Sequence, residues 1–168
     1  MADDRYREAL ALLDQWAVNP RAGIPEDLFV FVSRLVPLVN VDLLIKDDRA
    51  RTLLTWREDD FYGAGWHVPG GIIRYKEPAA LRVQATARAE LGAEVEPEPM
   101  PCAIEQVIEP ERRVRGHFVS LLYRCRLIGV PDDRLRFTGG APKPGQWAWH
   151  PNCPPNLISA QETYRKFI

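Results

Sequence analysis

The stretch whose reading decides the fold is Gly65–Gly92, GWHVPGGIIRYKEPAALRVQATARAELG. Trp66–Val68 reads as a short apolar strand, Pro69-Gly70-Gly71 as a sharp turn, and Ile72–Lys76 as a basic loop. Pro78–Leu91 reads as a helix, with proline at its first position and Gly92 just past its last, the expected punctuation of helix ends. Gly70-Gly71 is either a plain tight turn or a place where main-chain groups come close to a ligand, because glycine reaches backbone angles closed to other residues. Arg74 and Lys76 put positive charge between turn and helix, and Glu77 precedes Pro78. Glu90 falls in the last turn, where the helix dipole is negative and a carboxylate is disfavoured by about 0.3–1 kcal/mol. A charge so placed points to a compensating cation.

Working outward towards the N-terminus, Leu38–Ile45 (LVNVDLLI) reads as a buried strand and Arg51–Arg57 (RTLLTWR) as its return. Asp42 interrupts the first of these. A carboxylate inside a buried strand must find a partner or shift its pKa, so Asp42 either faces the surface or projects into a cleft. Arg57 is either a solvated rim charge or part of the same cleft. Residues 4–18 repeat Tyr6, Leu10, Leu13 and Ala17 at helical spacing, with Asp3 or Asp4 as cap, giving a packing helix or a dimer contact. Pro25–Leu35 predicts a second helix, so residues 1–36 read as a helical extension packed on a domain of residues 37–168. Working outward towards the C-terminus, strands are expected at Glu94–Glu98, Ala103–Ile108, His117–Leu127 and Gln146–His150, with a closing helix over Pro155–Phe167. The sum is α/β or α+β: a mixed sheet between helix layers.

A chain of 168 residues with 46% hydrophobic content suffices for one domain with a real core. A net charge of −1 gives no bulk attraction to nucleic acid. No apolar run approaches the roughly 20 residues of a membrane span, and the acidic start is unlike a signal peptide. Cys102, Cys125 and Cys153 fit neither a disulfide framework nor a zinc pattern. These features predict a cytoplasmic protein with reduced thiols and with neither nucleic-acid nor membrane partners.

The spacing Gly71, five residues, Glu77, then a helix ending Glu90-Leu91-Gly92 resembles the Nudix hydrolase signature, G, five residues, E, seven residues, R-E-U-x-E-E-x-G-U, with U bulky and apolar. Ala85, Thr86, Ala89 and Ala93 depart from it. In a complete motif, positions 86, 89 and 90 would place three carboxylates on one helix face, enough for several Mg²⁺ ions. Only Glu90 remains here. One carboxylate, a carbonyl and substrate phosphates hold one Mg²⁺, an ion that keeps several waters. That argues against multi-metal attack on phosphorus and for one metal stabilising a diphosphate leaving group.

The chain is similar, over about residues 25–150, to the GDP-mannose mannosyl hydrolase branch. The likeness includes the Pro37-Leu38-Val39…Asp42 strand, Arg57, the A-E-L-G end of the box and His117-Phe118. The resemblance implies Mg²⁺ (or Mn²⁺) on the Gly70 carbonyl and Glu90, with Asp42 and Arg57 on sugar and phosphate. It also implies a nucleotide or nucleotide-sugar substrate. Arg74, His117 and Phe118 are further candidate substrate contacts, and a homodimer is expected. The glutamine–histidine pair of that branch falls on Lys143 and Pro144, with Gln146 displaced by a few residues. That leaves His67 and His150 as the candidate bases, each with a plain packing role as alternative. A Nudix-fold binding module without catalysis is the competing reading.

Overall fold

The computed structural model describes residues 4–168. Asp3, one of the two candidate helix caps, lies outside them. The chain runs α1 (Asp4–Trp16), α2 (Glu26–Val32), β1 (Leu38–Ile45), β2 (Thr52–Asp59), β3 (Gly63–His67), β4 (Gly70–Ile72), α3 (Ala79–Leu91), β5 (Glu94–Pro97), β6 (Ala103–Ile108), β7 (His117–Ile128) and β8 (Trp147–His150). A 3₁₀ segment, Ser159–Phe167, closes it. The mixed α+β architecture is as expected, with the strands divided between two sheets. One sheet has the order β4-β1-β7-β5, with β6 also on β7; the other has the order β3-β2-β8. β1 and β7 are parallel, from Leu38 opposite Phe118 to Ile45 opposite Cys125. The twelve residues of β7 are long enough to take β6 along their first half and β5 along their last.

Two expectations need correction. Pro69-Gly70-Gly71 is not a tight turn. The chain leaves one sheet at His67 and enters the other at Gly70, where β4 pairs antiparallel with β1, Asp42 opposite Gly70 and Val41 opposite Gly71. Val68 and Pro69 carry the chain across the gap between the sheets. The closing segment is also not an α-helix. Asn156–Ile158 is extended against Trp66, whose amide donates to the Asn156 carbonyl at 2.9 Å, and the 3₁₀ turns that follow are kinked at Gln161 (φ −111°, ψ 15°). Main-chain bonding to β3 outweighs the helical spacing of Leu157, Ile158 and Tyr164.

α3 is held by one buried face. Val83, Ala87 and Leu91, spaced four apart, are fully buried against Val41, Leu43 and Leu53. Burial of each of the larger two contributes about 1.5–3 kcal/mol. Gly92 takes the left-handed conformation (φ 61°) that ends the helix. A second core, Leu44, Leu54, Trp56, Trp66, Leu122 and Tyr164, fills the other side of the sheets. Among the described residues, no helix is long and apolar enough to cross a membrane.

Candidate active site

Glu90 and Gly70 meet where the two sheets and α3 converge. Antiparallel pairing alternates bonded and non-bonded pairs. Leu43 N–H to the Pro69 carbonyl (2.8 Å) and Ile73 N–H to the Val39 carbonyl (2.9 Å) are the bonded pairs flanking β4. Gly70, opposite Asp42, is therefore in a non-bonded pair, and its amide and carbonyl both face away from β1. The amide donates to Glu90 Oε1 at 3.1 Å. Thr55 Oγ1 donates to Glu90 Oε2 at 2.8 Å, and His67 Nε2 lies 3.3 Å from the same oxygen. Burial pushes the Glu90 carboxyl up, but His67, the Thr55 hydroxyl and the Gly70 amide more than offset it and hold its pKa below the usual range. The carboxylate at the wrong end of the helix is thus compensated by donors from β2, β3 and β4.

His67 is orientated by the chain. Its Nδ1 lies 2.8 Å from the Thr55 carbonyl, which only accepts, so Nδ1 carries a proton. Nε2 faces Glu90: in the imidazolium it donates to the carboxylate, and in the neutral ring it is the basic nitrogen. His67 lines both cavities here, as does Arg57. One cavity is bordered by Asp42, Gly70, Tyr62, Arg115 and Phe118, the other by Thr55, Asp59, Glu90 and Pro144. His150 lies elsewhere: its ring packs on Trp66 at 4.6 Å, and burial lowers its pKa.

Asp42 faces the cleft side of its strand and is 3% exposed. Tyr164 donates to its Oδ2 at 2.8 Å and Gln161 Nε2 approaches Oδ1 at 3.4 Å. Burial raises its pKa to about 6, against the bonds from Tyr164 and Ser120 and the nearby His67; Glu90 adds to the rise. A Cβ on Gly70 would stand 2.2 Å from Asp42 Oδ1, so only glycine fits where β4 passes this carboxylate.

The remaining sequence candidates scatter. Arg57 pairs with Asp59 (3.0 Å) at the cleft. Gly71 lines the cavity and abuts Thr86, whose Oγ1 would be 2.4 Å from an added Cβ. Glu77 is clamped in two bonds by Arg82 (2.8 and 2.9 Å) and accepts the Arg74 amide (2.9 Å). Arg82, one turn before the Ala85 that breaks the motif, supplies that pairing. Gly92 serves as the helix stop. Arg74 lies beside Pro20, Gly23 and Ile24 in a groove apart from the cleft. His117 Nε2 lies 2.9 Å from Gln106 Nε2, away from both cavities, whereas Phe118 borders one. The Gln146 side chain turns back onto the Lys143 amide (2.8 Å). Sequence reasoning passed over Thr55, Gln161 and Tyr164. Thr55 alone left a signal, standing two residues before Arg57 on the same strand face.

The donor set suits one hard cation: the Glu90 carboxylate and the Gly70 carbonyl are oxygen ligands of the kind Mg²⁺ takes. It does not suit several. Thr86 and Ala89 offer no carboxylate, and among the described residues no three His, Cys, Asp or Glu side chains converge as a metal cluster.

No protein-family model matches the chain. A curated relative, the low-salt glycan biosynthesis protein Agl8 of Haloferax volcanii, is 35% identical over 79 residues, which are 47% of this chain and 50% of the relative. The chain thus matches about half of that relative's length. Solved structures are similar over far more of it. A MutT Nudix hydrolase from Burkholderia pseudomallei superposes with a TM-score of 0.63 at 22% identity, covering 79% of this chain and 98% of that one. A candidate asymmetric diadenosine tetraphosphate hydrolase from Jonesia denitrificans gives 0.61 at 19% identity, over 79% and 92%. A UDP-X diphosphatase gives 0.56 at 13% identity, over 97% of this chain and 76% of that one. With its two sheets, its α3 and its β3–β4 crossing, this chain has the Nudix hydrolase fold.

Proposed function

We propose that the protein is a divalent-metal-dependent Nudix-type hydrolase of a nucleoside diphosphate sugar or related nucleotide, of the GDP-mannose type. The observation that carries this reading is the meeting of Glu90 with the non-ladder face of Gly70, at the junction of two cavities that share Arg57 and His67. Mg²⁺ or Mn²⁺ would be held by Glu90 and the Gly70 carbonyl, where it would neutralise charge on a diphosphate. The sugar-nucleotide class is supported by the description of the partial relative as a glycan biosynthesis protein and of one structural neighbour as a UDP-X diphosphatase.

The chain's own residues supply the rest. Arg57 orientates the diphosphate through a planar, two-pronged guanidinium. Asp42, fixed by Tyr164, is placed to accept a sugar hydroxyl. His67, with Nδ1–H fixed on the Thr55 carbonyl, presents Nε2 as the site that takes a proton from water. With one carboxylate at the metal, the reading favours departure of the nucleoside diphosphate over multi-metal attack on phosphorus.

The test is incubation with a panel of nucleotide sugars and Mg²⁺. Release of nucleoside diphosphate and free sugar is expected, with at least a hundredfold loss in Glu90→Gln. Release of nucleoside monophosphate and sugar phosphate would refute the single-metal route, and absence of turnover on every substrate would refute the hydrolase. One observation favours a binding module instead: both Glu90 oxygens already have protein donors. That reading predicts ligand-dependent stabilisation without turnover.

A further inference from the structure

Three arginines surround Tyr62, and two of them, Arg57 and Arg115, line the Asp42 cavity with it. The Cζ atoms of Arg112, Arg57 and Arg115 lie 4.5, 5.0 and 5.8 Å from the Tyr62 ring centroid. Arg57 is paired with Asp59. Arg112 and Arg115 have no carboxylate within ion-pair distance among the described residues. Arg112 Nη1 and Arg115 Nε are buried and have no hydrogen-bond partner. Both side chains are partly exposed, but each has one buried nitrogen without a partner, and buried donors are normally satisfied. Two unanswered donors on cations that share one ring point to an anion.

The backbone around Arg115 is built to hold it there. Arg115 has φ 51°, a left-handed conformation rare for a side chain of its size. Its amide donates to Ser33 Oγ at 3.2 Å, and that hydroxyl donates to the Val30 carbonyl at 2.7 Å. Its guanidinium packs 4.5 Å from the Phe61 ring centroid and 5.8 Å from that of Phe29, so α2 and the β2–β3 connection fix it from two sides. The loop itself is closed by the Glu109 amide donating to the Gly116 carbonyl at 2.8 Å. At Gly116 a Cβ would stand 2.8 Å from the Arg112 carbonyl. A strained residue held by this many contacts is a mark of preorganisation.

We propose that Arg115 and Arg57, with Arg112 behind Tyr62 raising the local potential, form a preassembled receptor for a phosphoryl group. Arg57 and Arg115 both line the cavity, whose volume of about 70 Å³ holds on the order of five waters, about the heavy-atom count of one phosphoryl group. Asp42 faces the same cavity from the other wall, with its carboxylate held by Tyr164, Gln161 and Ser120. Planar guanidinium forks suit phosphate oxygens better than ammonium groups do. That the bound group belongs to a substrate diphosphate rests on the nucleotide reading above; the anion site itself does not.

The test is calorimetric titration of inorganic pyrophosphate into the full chain in EDTA, at low and moderate salt. Saturable one-to-one binding that weakens with salt is expected. Arg115→Gln should weaken it at least tenfold, Arg115→Lys by an intermediate factor and Arg112→Gln by less. Absence of saturable binding to the wild type, or unchanged binding in Arg115→Gln, overturns the receptor. Should Arg115→Gln fail to fold by circular dichroism, Arg115→Lys decides on the same criterion. The wild-type arginine Nε–Hε resonances provide a second measurement: two or more must shift on titration, and none shifting overturns the site. Binding without nucleotide turnover would leave the receptor standing and remove the hydrolase; turnover without pyrophosphate binding would do the reverse.

Discussion

Replacing Asp42 by Asn should stabilise the protein at neutral pH and do so less as the pH falls. In the native state Asp42 is 3% exposed and its pKa is raised from 3.8 to about 6. Between those values the folded chain binds more protons than the unfolded one, so stability falls as the pH rises. The contribution of the neutral carboxyl is fully present below pH 3.8 and is gone above pH 6. A shift of about two units at 1.36 kcal/mol each makes the ionised carboxylate cost about 3 kcal/mol of stability at pH 7–8. Asparagine avoids that charge and can keep both contacts. Its carbonyl accepts from Gln161 Nε2 and its amide donates to the Tyr164 oxygen, a hydroxyl that accepts as well as it donates. Urea unfolding of both proteins at half-unit steps from pH 4 to 8 gives the difference curve, in which titrating groups other than the coupled His67 and Glu90 cancel. The gain should approach 3 kcal/mol at pH 8 and shrink to under about 1 kcal/mol at pH 4. A difference that is flat across this range, or grows as the pH falls, would refute the assignment of Asp42 as a buried carboxylate strained by desolvation. Nucleotide-sugar hydrolysis should fall in the same variant, giving stability and activity opposite signs.

Gly70→Ala should cost about 1–3 kcal/mol by urea unfolding, because its Cβ would stand 2.2 Å from Asp42 Oδ1; a neutral substitution would mean that β4 does not run where described. Arg57→Lys keeps the charge but loses the fork, so kcat/KM should drop about tenfold, a difference of about 1.4 kcal/mol; unchanged kinetics would remove Arg57 from the substrate. The paired substitutions Leu13→Glu and Trp16→Glu probe the proposed homodimer. Both side chains are exposed on α1 (37% and 68%) and border an apolar groove with Leu28 and Phe31 of α2. Sedimentation should give twice the chain mass for the wild type and the single-chain mass for the variant; a monomeric wild type excludes the dimer.

What was legible in the sequence was what local spacing carries. Pro78 and Gly92 gave the ends of α3. The strand Leu38–Ile45 was readable to the residue from its apolar, β-branched run. Asp42 stood out because a charge in such a run requires an explanation. What local spacing does not carry is a side chain's partner across the fold. Asp42 is answered by Gln161 and Tyr164, about 120 positions later. The terminal segment reads as packing residues, and an aromatic periodicity does not reveal a hydroxyl aimed at a buried carboxylate. β4 was misread as a turn for the same reason: two glycines look like a bend, whereas here they let a strand pass Asp42 and Thr86 at close range. Arg115 was hidden more deeply, since its left-handed backbone and its contact with Ser33 exist only once α2 has docked.

The single carboxylate on the cleft face of the helix and the arginines gathered around Tyr62 belong to one electrostatic arrangement. A site with three helix carboxylates needs several cations to bring in a diphosphate, because unscreened negative charges at a few ångströms repel strongly in a partly dry cavity. Thr86 and Ala89 remove two of those charges, and His67 lies within 3.3 Å of the one that remains. On the proposed reading, the cleft would meet a diphosphate with one carboxylate at its metal side. On the other side stand Arg57, Arg115 and Arg112 around Tyr62, with only Asp59 paired among them. Fixed guanidinium groups replace much of the positive charge that additional metal ions would bring. On that reading they would neutralise a departing diphosphate, a role that a metal ion otherwise fills. On the proposed reading, the same residues that make the motif a poor multi-metal site favour chemistry at the carbon bearing the diphosphate, with His67 Nε2, on the shared wall of the two cavities, as the base.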